Sequence, residues 1–244
     1  MRFAYLAIVA FSLVVGAAPA SGQSILKDAG SALKGLGGGS GGSAGLSSGE
    51  VAGGLKDALS VGVDTVTGNL GAANGFFNDP VARIPLPGYM QTAQKVMRFA
   101  GQGELLDDVE LRINRAAEAS MEAAKEEFGT AIKAMTFQDA QAILEGPDDS
   151  ATRYFEEKTT KSIAARMRPI LKSELAKSDA FAAYDRAAEA NGAAGLAPRG
   201  KTMLIDHSVK GALKGLFHYI AEEEAAIRNN PAKRITPLLQ KVFG

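Results

Sequence analysis

The residues best placed to carry chemistry are four charges that helical spacing puts on or beside apolar faces: Glu110, Arg166, Glu223 and Glu224. On a wheel of about 100° per residue, the first three fall inside an apolar arc and Glu224 lies at the edge of one. A buried charge without a partner is very costly, so we expect at least one of Glu110 and Glu223 to contact an arginine, with Arg166 as the leading partner.

Two interpretations of these four charges, the polar cluster, remain open. The first is a structural ion-pair network that sets the register between helices, which is the commoner source of such patterns. The second is a carboxylate–arginine site, suited to acid–base chemistry or to holding a polar ligand.

Other chemistry is sparse, and the composition excludes several classes of site. The chain has no cysteine, which removes disulfides, thiol nucleophiles and zinc–thiolate centres. His207 and His218 share a helix face, but about 16 Å of helical rise separates them, so they cannot ligate one ion. Asp148 and Asp149 suit a helix cap better than a calcium loop. We therefore predict no metal site and no cofactor, and whether the protein is an enzyme stays open.

The charge balance argues against nucleic acid as a partner. The chain has 27 basic and 27 acidic residues, so no strong long-range attraction to a polyanion is indicated. Basic residues are also not interleaved with aromatic ones in the manner of nucleic-acid-binding segments.

The N-terminal sequence predicts export. Residues 1–22 contain a single positive charge at Arg2, then an apolar run, then small residues that suit cleavage after Ala20 or Gly22. The alternative is an uncleaved membrane anchor; no other segment is long and apolar enough to span a bilayer. Residues 23–45 form a Gly/Ser-rich tether, which includes "GLGGGSGGSAG" at 35–45. We expect a periplasmic protein, with secretion left open, and no transmembrane helix in the mature chain.

The remaining residues, 46–244, predict a single all-α domain of about seven to eight helices. Ser47 and Glu50 form a capping box, and apolar residues then recur at helical spacing. The predicted helices cover about 47–70, 89–100, 104–128, 136–146, a segment from 150 that Pro169 kinks or ends, a short helix closed at 191–192, 201–229, and 231–244, with a turn at 196–200.

An apolar, proline-rich arm interrupts the helices between residues 71 and 90. Its three prolines forbid a regular helix, yet it contains four large apolar residues: Phe76, Phe77, Ile84 and Leu86. The arm is either a strap that completes the helical core, which we favour, or a lid over a ligand cavity.

Several blocks of the sequence resemble those of a known bacterial family. They are "GLKDALSVGV", "IPLPG", "NRAAEAS", "MTFQDAQAILEGPDDSATRYF" and "GLFHYIAEEEAAIRNNPAKRITPLLQKVFG". In this order, over residues 46–244, they resemble the exported family called domain of unknown function 4197. The resemblance implies a location in the cell envelope. That family has no established activity, so the resemblance implies no catalytic residues.

Three functional hypotheses follow. We favour a non-enzymatic binding or scaffold role in the cell envelope, with an envelope protein or a small ligand as the partner. One alternative is a periplasmic hydrolase that uses Glu110, Glu223 or Glu224 with Arg166. The other is a carrier that encloses an apolar ligand under the proline-rich arm. A cavity that collects the charges would favour the hydrolase, a mostly apolar cavity the carrier, and the absence of a cavity the scaffold.

Overall fold

The computed structural model describes residues 48–99, 101, 103–179, 181–182 and 197–229. This part of the chain contains seven helices and no strand, which confirms the predicted all-α class. The helices are α1 (Ser48–Gly71), α2 (Gly88–Phe99), α3 (Glu104–Ala119), α4 (Met121–Ala134), α5 (Phe137–Glu145), α6 (Ser150–Ala176) and α7 (Ala197–Asn229). The predicted signal peptide, the tether, the short helix closed at 191–192 and the helix at 231–244 lie outside the described residues.

The two longest helices, α6 and α7, pack against each other, and α1, α3 and α4 pack around them. Apolar residues at helical spacing on these five helices meet in one main core. At its centre the Phe128 ring lies 4.9 Å from the ring of Phe155 and 5.9 Å from that of Phe217. None of the described helices combines the length and the apolar character that crossing a bilayer requires.

Helix α5, predicted at 136–146, begins with a capping box. The Thr136 side chain accepts a hydrogen bond from the amide of Asp139, and the Asp139 carboxylate accepts one from the amide of Thr136 at 2.8 Å. This reciprocal pair satisfies two amides that the first helical turn leaves without partners.

Two helix boundaries differ from expectation, and at Pro169 the sequence leaves a kink and a helix end as alternatives. The helix predicted from 104 to 128 is divided at Ser120, whose hydroxyl donates to the Ala116 carbonyl at 2.6 Å, a bond that often bends helices. Helix α6 does not end at Pro169 but continues to Ala176. The prediction of a turn at 196–200 is wrong, because residues 197–200 form the first turn of α7. Pro198 is tolerated there because the amides of the first turn have no partner within the helix.

The proline-rich arm, which we call the strap (residues 72–87), packs on the core between α1 and α2. Phe76, Ile84 and Leu86 are fully buried in the main core. Phe77 is half-buried, and the guanidinium of Arg83 lies 4.4 Å from its ring centroid. Alternation of buried and exposed residues along the second half of the strap lets an extended segment cover the helices without a helix of its own.

Candidate functional site

An apolar groove lies between α2, α3 and the start of α7. Its volume is about 330 Å³, within the range typical of small-molecule sites. Its lining consists of Tyr89, Met90, Ala93 and Met97 from α2, Leu106 and Val109 from α3, Gly200, Lys201 and Leu204 from α7, and Phe181.

Helix α2 presents one side to this groove because of the spacing of its apolar residues. Met90, Ala93 and Met97 lie within an arc of about 60°. Methionine side chains are flexible and polarisable, so they adapt to ligands of different shape. The groove wall that α2 supplies is therefore both apolar and deformable.

The side of α2 next to these groove-facing residues is held to α3 by polar contacts. The buried amide of Gln94 donates to Asp107 at 2.7 Å and to Glu110 at 3.1 Å. Arg98 also binds Asp107, at 2.6 Å, and this hydrogen bond is the main cause that lowers the pKa of that carboxyl below its ordinary value. These bonds fix the rotation of α2 and so direct its methionines into the groove.

One charged side chain belongs to the described lining of the groove. The Lys201 Nζ lies 5.2 Å from the ring centroid of Phe181, which is within cation–π range. Lys201 therefore places one positive charge beside an otherwise apolar wall.

The partner of Glu110 is Arg83 on the strap. Glu110 is buried, and its Oε1 lies 2.9 Å from Arg83 Nη2 and 3.0 Å from Arg83 Nε. Glu110 therefore lies on the inner side of α3, where the helical wheel predicts it, and it contacts an arginine. Arg166, expected as the leading partner, is engaged elsewhere.

Arg166 is a surface residue, and its placement in a buried cluster is wrong. Its side chain is 41% exposed and binds Glu126 at 2.5 Å and Glu127 at 3.2 Å, both on α4. The flexible stem of an arginine lets the guanidinium leave an apolar face and reach water, which a wheel of Cα directions does not capture. Exposed ion pairs are screened by water and salt, so we expect only a small effect of Arg166→Met on stability.

Glu224, not Glu223, is the buried carboxylate of α7. It accepts hydrogen bonds from the amides of Ala151 and Thr152, at 2.9 and 2.8 Å, and from the Thr152 hydroxyl. Arg228 also binds it, at 2.9 Å. Glu224 therefore caps the start of α6, where the partial positive charge of the helix stabilises an anion.

The four charges of the predicted cluster do not form one site. Glu224 contacts the first turn of α6, and Arg166 lies about 22 Å further along that helix. Glu223 is half-buried and lines a separate pocket with Asp79 and Tyr219. Among the described residues, no group of acidic or histidine side chains could hold a metal ion.

The strap is fastened by side chains of α3. Glu118 Oε1 accepts from the amides of Phe76 and Phe77, at 3.2 and 3.3 Å. The buried amide of Asn114 pairs with both backbone groups of Ile84, at 2.9 and 3.0 Å. These bonds satisfy backbone groups that a non-helical segment cannot satisfy by itself.

A second set of bonds attaches the strap to α7 and α2. The Tyr219 hydroxyl donates to Asp79 at 2.7 Å, His207 Nε2 lies 2.8 Å from the Pro85 carbonyl, and Gln91 donates to the Leu86 carbonyl at 2.7 Å. The strap is consequently bound at both ends and along its length.

Sequence reasoning missed the groove, although α2 carries a signal of it. Its apolar residues Tyr89, Met90, Val96 and Met97 recur as adjacent pairs seven apart, and they span a wider arc than packing on one neighbour requires. Lys201 and Phe181 are distant in sequence, and no local pattern predicts that they meet there.

Fold and site together define an all-α protein in which buried charges hold helices and strap in place and an apolar groove lies between α2, α3 and α7. Residues 45–244 match the family model described as "Protein of unknown function (DUF4197)", so the chain belongs to that family, as its sequence blocks predict. No curated protein and no solved structure matches the chain.

Proposed function

We propose that this chain is a non-enzymatic binding protein of the bacterial cell envelope, and that it holds an apolar chain with an anionic end in the groove between α2, α3 and α7. The observation that carries this proposal is the groove itself, with its methionine-rich wall and Lys201. The export-type pattern of residues 1–22 supports the envelope location.

The engagement of the buried carboxylates supports binding over hydrolysis. Glu110 is paired with Arg83, and Glu224 is bound to two amides, a hydroxyl and Arg228. A general base needs a lone pair directed at substrate, whereas these oxygens are directed at the protein's own donors.

The close packing of the strap supports a ligand site in the groove rather than one beneath the strap. At Gly211 of α7, an added Cβ would lie 2.8 Å from Ile84 Cγ2, so the strap and α7 are already in close contact. The carrier hypothesis therefore applies to the groove beside α2, where open volume exists.

Displacement of a fluorescent naphthalene sulfonate by laurate or by dodecanol tests the proposal. Ala93→Trp would fill the groove from its α2 wall, and Thr92→Trp adds the same ring one residue away on the outer side of α2. We expect Ala93→Trp to weaken laurate binding at least about tenfold, equivalent to about 1.4 kcal/mol, and Thr92→Trp to leave it unchanged.

The role of Lys201 is tested by the same pair of probes. Lys201→Gln should weaken the binding of laurate more than that of dodecanol, because only laurate carries a charge for the ammonium to pair with. Equal binding by the wild-type protein and Ala93→Trp would contradict the groove as the site, and equal loss for both probes would contradict the anionic end.

A further inference from the structure

Helix α2 exposes a row of large apolar side chains on the side that faces away from α3. Tyr89, Val96 and Phe99 are 60%, 64% and 95% exposed. On the helical wheel these three residues lie within an arc of about 80°, so they form one stripe, which we call the outer face of α2. Isolated exposed apolar residues are ordinary, but a stripe of aromatic and branched side chains indicates an interaction surface.

The outer face is continuous with the groove. Tyr89 belongs to both, since it lines the groove and is exposed to solvent. On the wheel the outer face and the groove-facing residues together cover about half of the helix circumference. A ligand chain that leaves the groove past Tyr89 would therefore move directly onto the outer face.

The charges on α2 favour a negatively charged apolar partner. The helix contains Lys95 and Arg98 and no acidic residue. Lys95 is exposed and borders Phe99 on the wheel, while Arg98 is partly offset by Asp107. Basic residues beside an apolar stripe with aromatic members are typical of helices that lie in the interface of an anionic bilayer.

The size of the outer face argues against a second copy of this chain as the partner. A stable protein–protein interface contains roughly 20–30 residues on each side, whereas the outer face has three large side chains. Insertion into a bilayer requires no complementary surface, so a short stripe is sufficient for reversible attachment.

We infer that α2 docks by its outer face on the interface of an anionic phospholipid bilayer, with Tyr89, Val96 and Phe99 among the acyl chains and Lys95 at the headgroups. The docked helix brings the mouth of the groove to the membrane, where an apolar chain exchanges between bilayer and groove. The exchange rests on the proposed function, whereas the docking does not.

Vesicle flotation with the full chain tests the docking, since all variants then share residues 1–47 and any membrane affinity of that segment. The vesicles contain either phosphatidylglycerol with phosphatidylethanolamine or phosphatidylcholine alone. The paired variant Val96→Ser and Phe99→Ser should lower partition to the anionic vesicles about tenfold or more. Val81→Ser is the matched control, because Val81 is 51% exposed but lies on the strap, and it should leave partition unchanged.

Replacing Lys95 separates binding to anionic lipid from nonspecific apolar adsorption. Lys95→Gln should lower partition to the anionic vesicles about fivefold and leave partition to phosphatidylcholine unchanged, as expected for one cation near a charged surface. Equal partition of the outer-face variant and of Val81→Ser would overturn the inference. So would a concentration-dependent dimer in analytical ultracentrifugation that only the outer-face variant abolishes.

The docking and the proposed function can each be refuted without the other. Ala93→Trp should lose laurate binding in solution and keep partition to vesicles, and the outer-face variant should do the reverse. If the wild-type protein does not bind anionic vesicles but does bind laurate, the docking alone is refuted; if it binds vesicles but not laurate, the groove alone is refuted.

Discussion

The strap and helix α2 are consecutive in the chain and similarly rich in apolar residues, yet they are attached to the protein in opposite ways. The strap has no helix to satisfy its backbone, so side chains such as Asn114 and Glu118 supply the hydrogen bonds. Helix α2 satisfies its own backbone and is held mainly through Gln94 and Arg98 on one side.

This difference separates an element that completes the core from one that leaves apolar surface exposed. Every large apolar residue of the strap except Val81 is at least half-buried, so removing one disturbs the core. Helix α2 keeps part of its apolar surface uncovered and contacts α3 over a limited area. Segments with few buried contacts open at low free-energy cost, and binding surfaces are commonly drawn from them.

The largest expected contrast in unfolding free energy comes from replacing a phenylalanine with alanine in the strap and in α2. Phe76→Ala removes a fully buried ring from the core and should lower the free energy of unfolding by about 3–5 kcal/mol. Phe99→Ala removes a ring that is almost wholly exposed and should change it by about 0.5 kcal/mol or less. Urea denaturation of both variants measures the contrast, and similar losses would show that α2 belongs to the core.

A smaller contrast is expected between the polar side chains that hold the strap and those that hold α2. Asn114→Ala leaves the amide and carbonyl of Ile84 buried without partners and should cost at least about 2 kcal/mol, since each such group costs roughly 1–3 kcal/mol. Gln94→Ala should cost about 1 kcal/mol, because Asp107 keeps Arg98 and Glu110 keeps Arg83.

Amide hydrogen exchange measures how far each of these two substitutions affects the rest of the protein. Gln94→Ala should speed exchange in α2 without changing exchange in the strap, whereas Asn114→Ala should affect the core helices as well. A global effect of Gln94→Ala would contradict the view of α2 as a separately held element.

The smallest contrast is the pH dependence of the strap. The hydrogen bond from Tyr219 to Asp79 raises the pKa of Tyr219 from 10.0 to about 12. Burial raises the pKa of Asp79, but hydrogen bonds from two strap amides and the Tyr219 hydroxyl outweigh burial and hold that pKa below 3.8. The ionised carboxylate and the neutral phenol are therefore the pair that the fold stabilises.

The signs of the two shifts define the window in which the pair acts. The contribution of Tyr219 is fully present below pH 10 and is lost as the pH rises towards 12; that of Asp79 is present above pH 3.8 and is lost as the pH falls through its lowered pKa. The stability difference between the wild-type protein and Tyr219→Phe should shrink from pH 10 to 12. Tyr89→Phe, at an exposed position on α2, is the control and should leave the profile unchanged.

Local signals in the sequence were enough for much of the fold. Helical spacing predicts the all-α class and a helix from about residue 136, and the pair Thr136 and Asp139 caps the start of α5 because capping involves residues three apart. The predicted helix boundaries are wrong at Ser120 and at residues 197–200. A hydrogen bond from the Ser120 hydroxyl divides one helix, and a proline is accommodated in the first turn of another. Neither feature changes the spacing of the apolar residues.

The sequence by itself determined that this protein is helical, that prolines keep residues 72–87 out of a helix, and that Glu110 faces inward on its helix. Only the tertiary structure decided that Glu110 meets Arg83, that Glu224 and not Glu223 is buried, and that α2 and α7 leave a groove between them. The reason is physical: periodicity reports the direction in which a side chain leaves its own helix, whereas the partner it meets depends on how helices distant in sequence pack.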